Sequence, residues 1–217
     1  MSKTLIYEPM TAVTDLMIAA LALYIARELH AWHTIRLMNI HWHWGWAFYS
    51  LAVGAFMGAV SHGIGPHFSD ASRQLIWKAA IVPVGFTSVF FLMGAFHNSF
   101  SFDAVRWLSW IPIVFLGAYV YTISKDDSFI NAVKFYAPAM CLVLALMLYG
   151  HFGLDTAGSG TVALGILIMF IGAGVQVIGF GLHQHFNHND IFHVIQMIGM
   201  ATMYKGSQLI TDYGVAP

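Results

Sequence analysis

At 217 residues, 59 % hydrophobic and 9 % charged, with a mean hydropathy of +0.70, the chain carries more apolar surface than a water-soluble domain of this size can bury. A net charge of −1 leaves no basic field for nucleic acid. The single cysteine, Cys141, excludes an intrachain disulfide and, in the middle of an apolar stretch, reads as a small packing residue.

Runs of about 20 apolar residues read as membrane-crossing helices, because a helix rising about 1.5 Å per residue needs that many to cross about 30 Å of hydrocarbon. Seven such runs follow in chain order: Met10–Arg27, Trp44–Gly63, Leu75–Phe96, Val105–Ile123, Phe129–Gly150, Thr161–Leu182 and Asp190–Ile210. "SHGIGPHFSD", "HNSFSFD", "SKDDS" and "FGLDTAGSG" are the turn-rich breaks between them. Lys3 is the one basic residue before the first run and no small-residue cleavage site follows, so that run is expected to be retained. The expectation is an all-α, polytopic membrane protein, residues 1–217 forming a single seven-helix transmembrane bundle with short loops and sequential helices antiparallel. Tryptophans 32, 42, 44, 46, 107 and 110 mark interfacial depth.

Seven crossings place the termini on opposite sides, here A for the N-terminal side and B for the other. Lys3, Arg73, Lys78, Lys125 and Lys134 fall near A, and Arg27, Arg36, Arg106 and Lys205 near B. The excess of one places the N-terminus in the cytoplasm.

Polar groups gather at the A end. His62 closes the second run, with His67 and Asp70 just beyond. His183 and His185 follow the sixth. His188, Asp190 and His193 open the seventh, and Asp15 lies about one and a half turns inside the first. Ionisable groups inside a span are costly and face the bundle interior, which makes them functional candidates. Gly54, Gly58 and His62 share one helical face, where small residues aim the imidazole at a helix seam. Asn189, His193, Gln196 and Met200 form a second such face.

Three neutral imidazole or carboxylate ligands plus one open position make a catalytic zinc site. His62, His193 and one of Asp190 or His188 would supply the ligands, with Asp15 or Asp70 as general base or orienting group, giving a hydrolytic centre screened from bulk water. Each group also has a plainer reading. Asn187 and Asp190 have capping-box spacing, and Asp15 could pair with Asn189. His67, His183 and His185 could simply sit at headgroup depth. The B-side histidines 30, 33, 41, 43, 97 and 151 lie among tryptophans and read mainly as interfacial. Gly165, Gly172 and Gly179, spaced by seven, mark a tight helix seam.

"IFHV", Ile191 to Val194, resembles the last-helix motif of the seven-helix superfamily that includes alkaline ceramidases and adiponectin/progestin receptors, often called CREST. The resemblance implies a zinc near one membrane face, with His62 as the helix-two ligand and His193 as the second histidine of an HxxxH pair. The first position of that pair is Asn189, the motif's serine position is Gly58, and Asp70 follows His62 by eight residues. Either Asp190 or His188 would replace the missing ligand. The implied activity is hydrolysis of a lipid amide such as ceramide, reached from the bilayer. The alternative is a non-catalytic sensor or receptor on the same scaffold, with a structural metal or none. A haem protein lacks paired histidines on central helices. A retinal protein would need Lys205 at mid-membrane and a carboxylate in the third run.

Overall fold

The computed structural model describes residues 5–183 and 186–215, and all regular structure among them is helical. The helices are α1 (Pro9–Arg36), α2 (Asn39–Ile64), α3 (Asp70–Ser99), α4 (Phe102–Leu108), α5 (Trp110–Lys125), α6 (Phe129–Phe152), α7 (Ser159–Ile178) and α8 (His188–Ser207), with one 3₁₀ turn at Gly65–His67. Six segments are long and apolar enough to cross a membrane: α1, α2 with its 3₁₀ turn, α3, α4 with α5, α6 and α7. This composition fits a multi-pass helical membrane bundle.

The helices close into a ring. α1 packs on α2, α2 on α3, α3 on α6, α6 on α7, α7 on α8, and α8 returns to α1. α5 stands outside, against α3 and α6. The first three segments run longer than expected, α3 reaching from Asp70 to Ser99. α1 continues to Arg36 and α2 begins at Asn39, because no proline or glycine interrupts the stretch between Arg27 and Leu37. The break comes at Leu37, which takes the left-handed conformation at φ 57°. At 28 residues, α1 is about 42 Å long and overshoots the hydrocarbon.

Polar contacts give the direction of α8. Thr11 meets Asp190, Thr14 meets His193 and the Tyr204 hydroxyl donates to Glu28 at 3.4 Å. Both sequences advance together through these pairs, so α1 and α8 run parallel. Glycine then sets how closely α8 approaches α7. A Cβ on Gly199 would lie 2.7 Å from the Gly165 carbonyl oxygen, and one on Gly165 would lie 2.7 Å from that of Gly199. Backbones this near gain dispersion contacts and weak Cα–H···O bonds. Gly172 belongs to the same seam, opposite Ile195 and Phe192. Gly179 does not. It ends α7 at φ 73° with nothing near its missing Cβ, as a left-handed C-cap glycine.

The packed core occupies the B half, where Ile25, Leu29, Ile40, Trp44, Phe48 and Met147 are fully buried. The Trp44 indole donates to the Phe91 carbonyl at 3.1 Å, as a buried indole should. His41 and His97 are buried between helices at this end: His41 is fully buried with Nε2 at 2.8 Å from the Ser207 carbonyl, and the His97 ring packs against His43 at 5.0 Å. Their position follows from the extension of α2, which draws residues 39–43 into the bundle. Cys141 is exposed on α6 and does not pack in the core.

The chain after α8 straps the B end. Asp212 accepts from the backbone N–H of Asn39 at 2.7 Å and of Ile40 at 3.0 Å, and from the Asn39 side chain at 2.9 Å. It therefore caps α2 from a distance in sequence, satisfying donors that a helix start leaves orphaned. Asp212→Ala should cost about 1–2 kcal/mol, as loss of an N-cap does. A matching fall in melting temperature in detergent, with the far-ultraviolet helix signal unchanged at low temperature, checks this.

Candidate functional site: a polar-ended cavity

The A half of the ring is hollow. A cavity of about 440 Å³ is lined by residues of α1, α2, α3, α6, α7 and α8, that is, by every ring helix. Its walls are mainly apolar, with Leu51, Ile81, Val84, Met140, Ile166 and Phe170 among them. Polar side chains concentrate where α1, α2 and α8 meet: Asp15, His62, Asn189, His193 and Gln196, with Gln176 beside them. The shared faces expected from spacing hold. Gly54, Gly58 and His62 all line the cavity, as do Asn189, His193 and Gln196, while Met200 is buried beneath them.

The centre of this end is Asp15 and His193, 6 % and 9 % exposed. His193 Nε2 stands 3.5 Å from Asp15 Oδ1, and Asp15 Oδ2 has no partner. That oxygen faces Gly58, where a Cβ would lie 3.1 Å away. The other ring nitrogen, Nδ1, is 2.8 Å from the Thr14 hydroxyl oxygen. Thr14 has one hydroxyl proton and donates it to the Thr11 carbonyl at 3.1 Å. The same hydroxyl thereby ties the imidazole to α1 and turns Nε2 toward Asp15. Nε2 and the carboxylate oxygen face each other beside the cavity, separated by more than a good hydrogen bond.

A second layer lies behind this pair. The Thr11 hydroxyl donates to Asp190 Oδ1 at 3.0 Å, and the Asn187 backbone N–H donates to Asp190 Oδ2 at 2.8 Å. Asn187 and Asp190 form a full capping box at the start of α8. Asp190 is fully buried, with both oxygens engaged in fixing that start against α1. Asn189 accepts from Gln176 at 3.1 Å, tying α8 to α7, and is not the partner of Asp15.

The other expected site residues lie elsewhere. His62 reaches the cavity, but its Nδ1 pairs with Glu8 Oε2 at 3.1 Å, at the mouth. His188 is the first residue of α8 and does not line the cavity, because the helix has already begun and turns it away. Asp70 sits at the start of α3, exposed and paired with Arg73 at 2.9 Å. The Gly65–His67 turn carries the chain out to the surface before α3 begins, so Asp70 does not join Asp15. His67 bonds the Leu5 carbonyl at 3.0 Å, the His183 backbone pairs with Phe186, and His185 lies outside the described residues.

Among the described residues no three histidine, cysteine or carboxylate side chains converge on one point. His62, His188, Asp190 and His193, expected from sequence as zinc ligands, are not drawn together as one cluster in this structure. Thr11, Thr14 and Glu8 were not anticipated. Threonines one turn apart, just before a membrane-embedded aspartate in "TAVTDL", are the signal that marks this face of α1.

A family model described as a family of unknown function (DUF6962) matches residues 10–212. The chain belongs to DUF6962. The DUF6962 match runs from the first turn of α1 to the Asp212 cap, so it takes in the whole helical ring and both partners of the Asp15–His193 pair. No curated protein and no solved structure matches the chain.

Proposed function

We propose that the protein is an integral membrane hydrolase that takes an amphipathic lipid into the cavity and presents its polar linkage to Asp15 and His193. The observation that carries this reading is a buried carboxylate–imidazole pair at the polar end of an otherwise apolar chamber. Pockets for small ligands combine such walls with a few convergent polar groups. A water between Asp15 Oδ2 and His193 Nε2 would give its proton to Nε2. The hydroxide adds to the acyl carbon, the C–N or C–O bond breaks, and the same proton leaves with the amine or alcohol. Thr14 holds the ring with Nε2 toward the lipid. The donors expected for zinc do not fit a three-ligand site, so no step runs through a metal.

In this reading α8 is the seventh crossing. It follows α1 in parallel from Asp190 to Tyr204, about 21 Å of rise. Its lower hydropathy comes from Asn189, His193 and Gln196, which face the cavity and not lipid.

A binding role without turnover is the second reading, favoured by the same lack of convergence among metal-type donors. Fatty-acid release from a long-chain amide and a long-chain ester, by protein purified in detergent, separates the two. Release from either, without stoichiometric zinc in elemental analysis, is the expected result. Intact lipid recovered from the protein with no release from either substrate would overturn the hydrolase.

A further inference from the structure

The polar end of the cavity is short of positive charge. Asp15 is buried with Oδ2 unpartnered, and the carboxyl groups within electrostatic reach of it are Asp190 and Glu8. No lysine or arginine is among the described residues lining the cavity. A buried carboxylate is normally matched by a cation or by several donors, and Asp15 Oδ2, beside Gly58, has neither.

The size of the chamber limits what can supply the match. At about 440 Å³ it falls in the lower part of the range of small-ligand pockets. That suits one alkyl chain with a small head. We propose that the ligand held by this cavity is a single-chain amphiphile with a primary ammonium head, seated between Asp15 and His193 above Gly58. The ammonium donates to the Asp15 carboxylate, and its chain lies along Leu51, Val84 and Met140, which line the cavity. This rests on the cavity being the ligand site and refines the hydrolase reading. Of the two halves of a cleaved lipid amide, the amine is retained, while the fatty acid would bring a fourth carboxyl to a place that already holds three.

The test is competitive binding of tetradecylamine, tetradecanol and tetradecanoic acid to the full chain in detergent, read by native mass spectrometry. The amine should outcompete the alcohol by about tenfold, as expected for one matched buried charge, and the acid should bind least. Asp15→Asn, which keeps the shape and removes the charge, should bring amine and alcohol to near parity. Gly58→Ala, whose methyl would take the space beside Oδ2, should weaken amine binding while helix content is unchanged. Equal binding of amine and alcohol, tighter binding of the acid, or an amine preference surviving Asp15→Asn would overturn the ammonium assignment and leave the cavity as a lipid site. Binding of none of the three would remove the cavity as a ligand site, and the hydrolase reading with it.

Discussion

His193→Ala should lower the proposed lipid hydrolysis at least about 100-fold, the lower end of what a positioned general base contributes, and leave the bundle assembled. The expectation comes from how the ring is held. Its Nδ1 is held 2.8 Å from the Thr14 hydroxyl, so Nε2 is the ring nitrogen that faces Asp15 and the cavity. Alanine removes that acceptor and leaves a small void next to an existing cavity, which the fold tolerates. Thr14→Val tests the same arrangement more gently. It keeps the volume, removes the hydroxyl that holds Nδ1 and frees the ring to rotate. The rate should fall by about tenfold, as for loss of one orienting hydrogen bond to a charged or reacting group. A Thr14→Ser protein, which keeps the hydroxyl, should recover most of the rate. Initial rates of fatty-acid release from the three variants, at equal folded concentration, check both statements.

Gly199→Leu should have the largest effect on the fold itself. Its first side-chain carbon would lie 2.4 Å from Met169 Cγ and 2.7 Å from the Gly165 carbonyl oxygen. A methionine can move aside, but the backbone carbonyl of α7 cannot move without parting the helices. The cost should reach at least about 3 kcal/mol, the upper part of the range for overpacking. Because α8 closes the ring between α7 and α1, parting this seam also displaces His193 from Asp15, so ligand binding is lost with stability. Gly174, on α7 but with open space at its missing Cβ, is the control. Gly174→Ala should leave stability equal or raise it by up to about 1 kcal/mol through helix propensity alone. Melting temperatures of the two proteins in the same detergent decide the matter.

Much of this arrangement is legible in the sequence, for a simple reason. A polar side chain in an apolar span must face the interior, and helical periodicity then says which neighbours share its face. That argument places Asn189, His193 and Gln196 on one cavity wall, and Gly54, Gly58 and His62 on another. It does not say which polar groups satisfy one another. Asp190 and His193 are both buried, yet Asp190 turns to Thr11 and its own helix start while His193 turns to Thr14 and Asp15. His62 points to the right chamber, but its partner Glu8 precedes the first apolar run and carries no periodic signal. Asp70 is near His62 in sequence and far from the site in space, because a 3₁₀ turn and a new helix start intervene. The buried histidines at the B end were hidden by the tryptophans around them, which suit an interface and a helix start equally well.

The central claim is that Asp15 of α1 and His193 of α8 face each other across the polar end of the chamber. The most direct measurement places cysteines at both positions, Asp15→Cys with His193→Cys, in a Cys141→Ser background within native-like membranes. Dibromobimane, which becomes fluorescent when both of its arms are taken by thiols, should label the double variant and neither single one. Two cysteines that each react with a monofunctional maleimide, yet never yield the fluorescent bridge, would show that these helices do not bring the pair together.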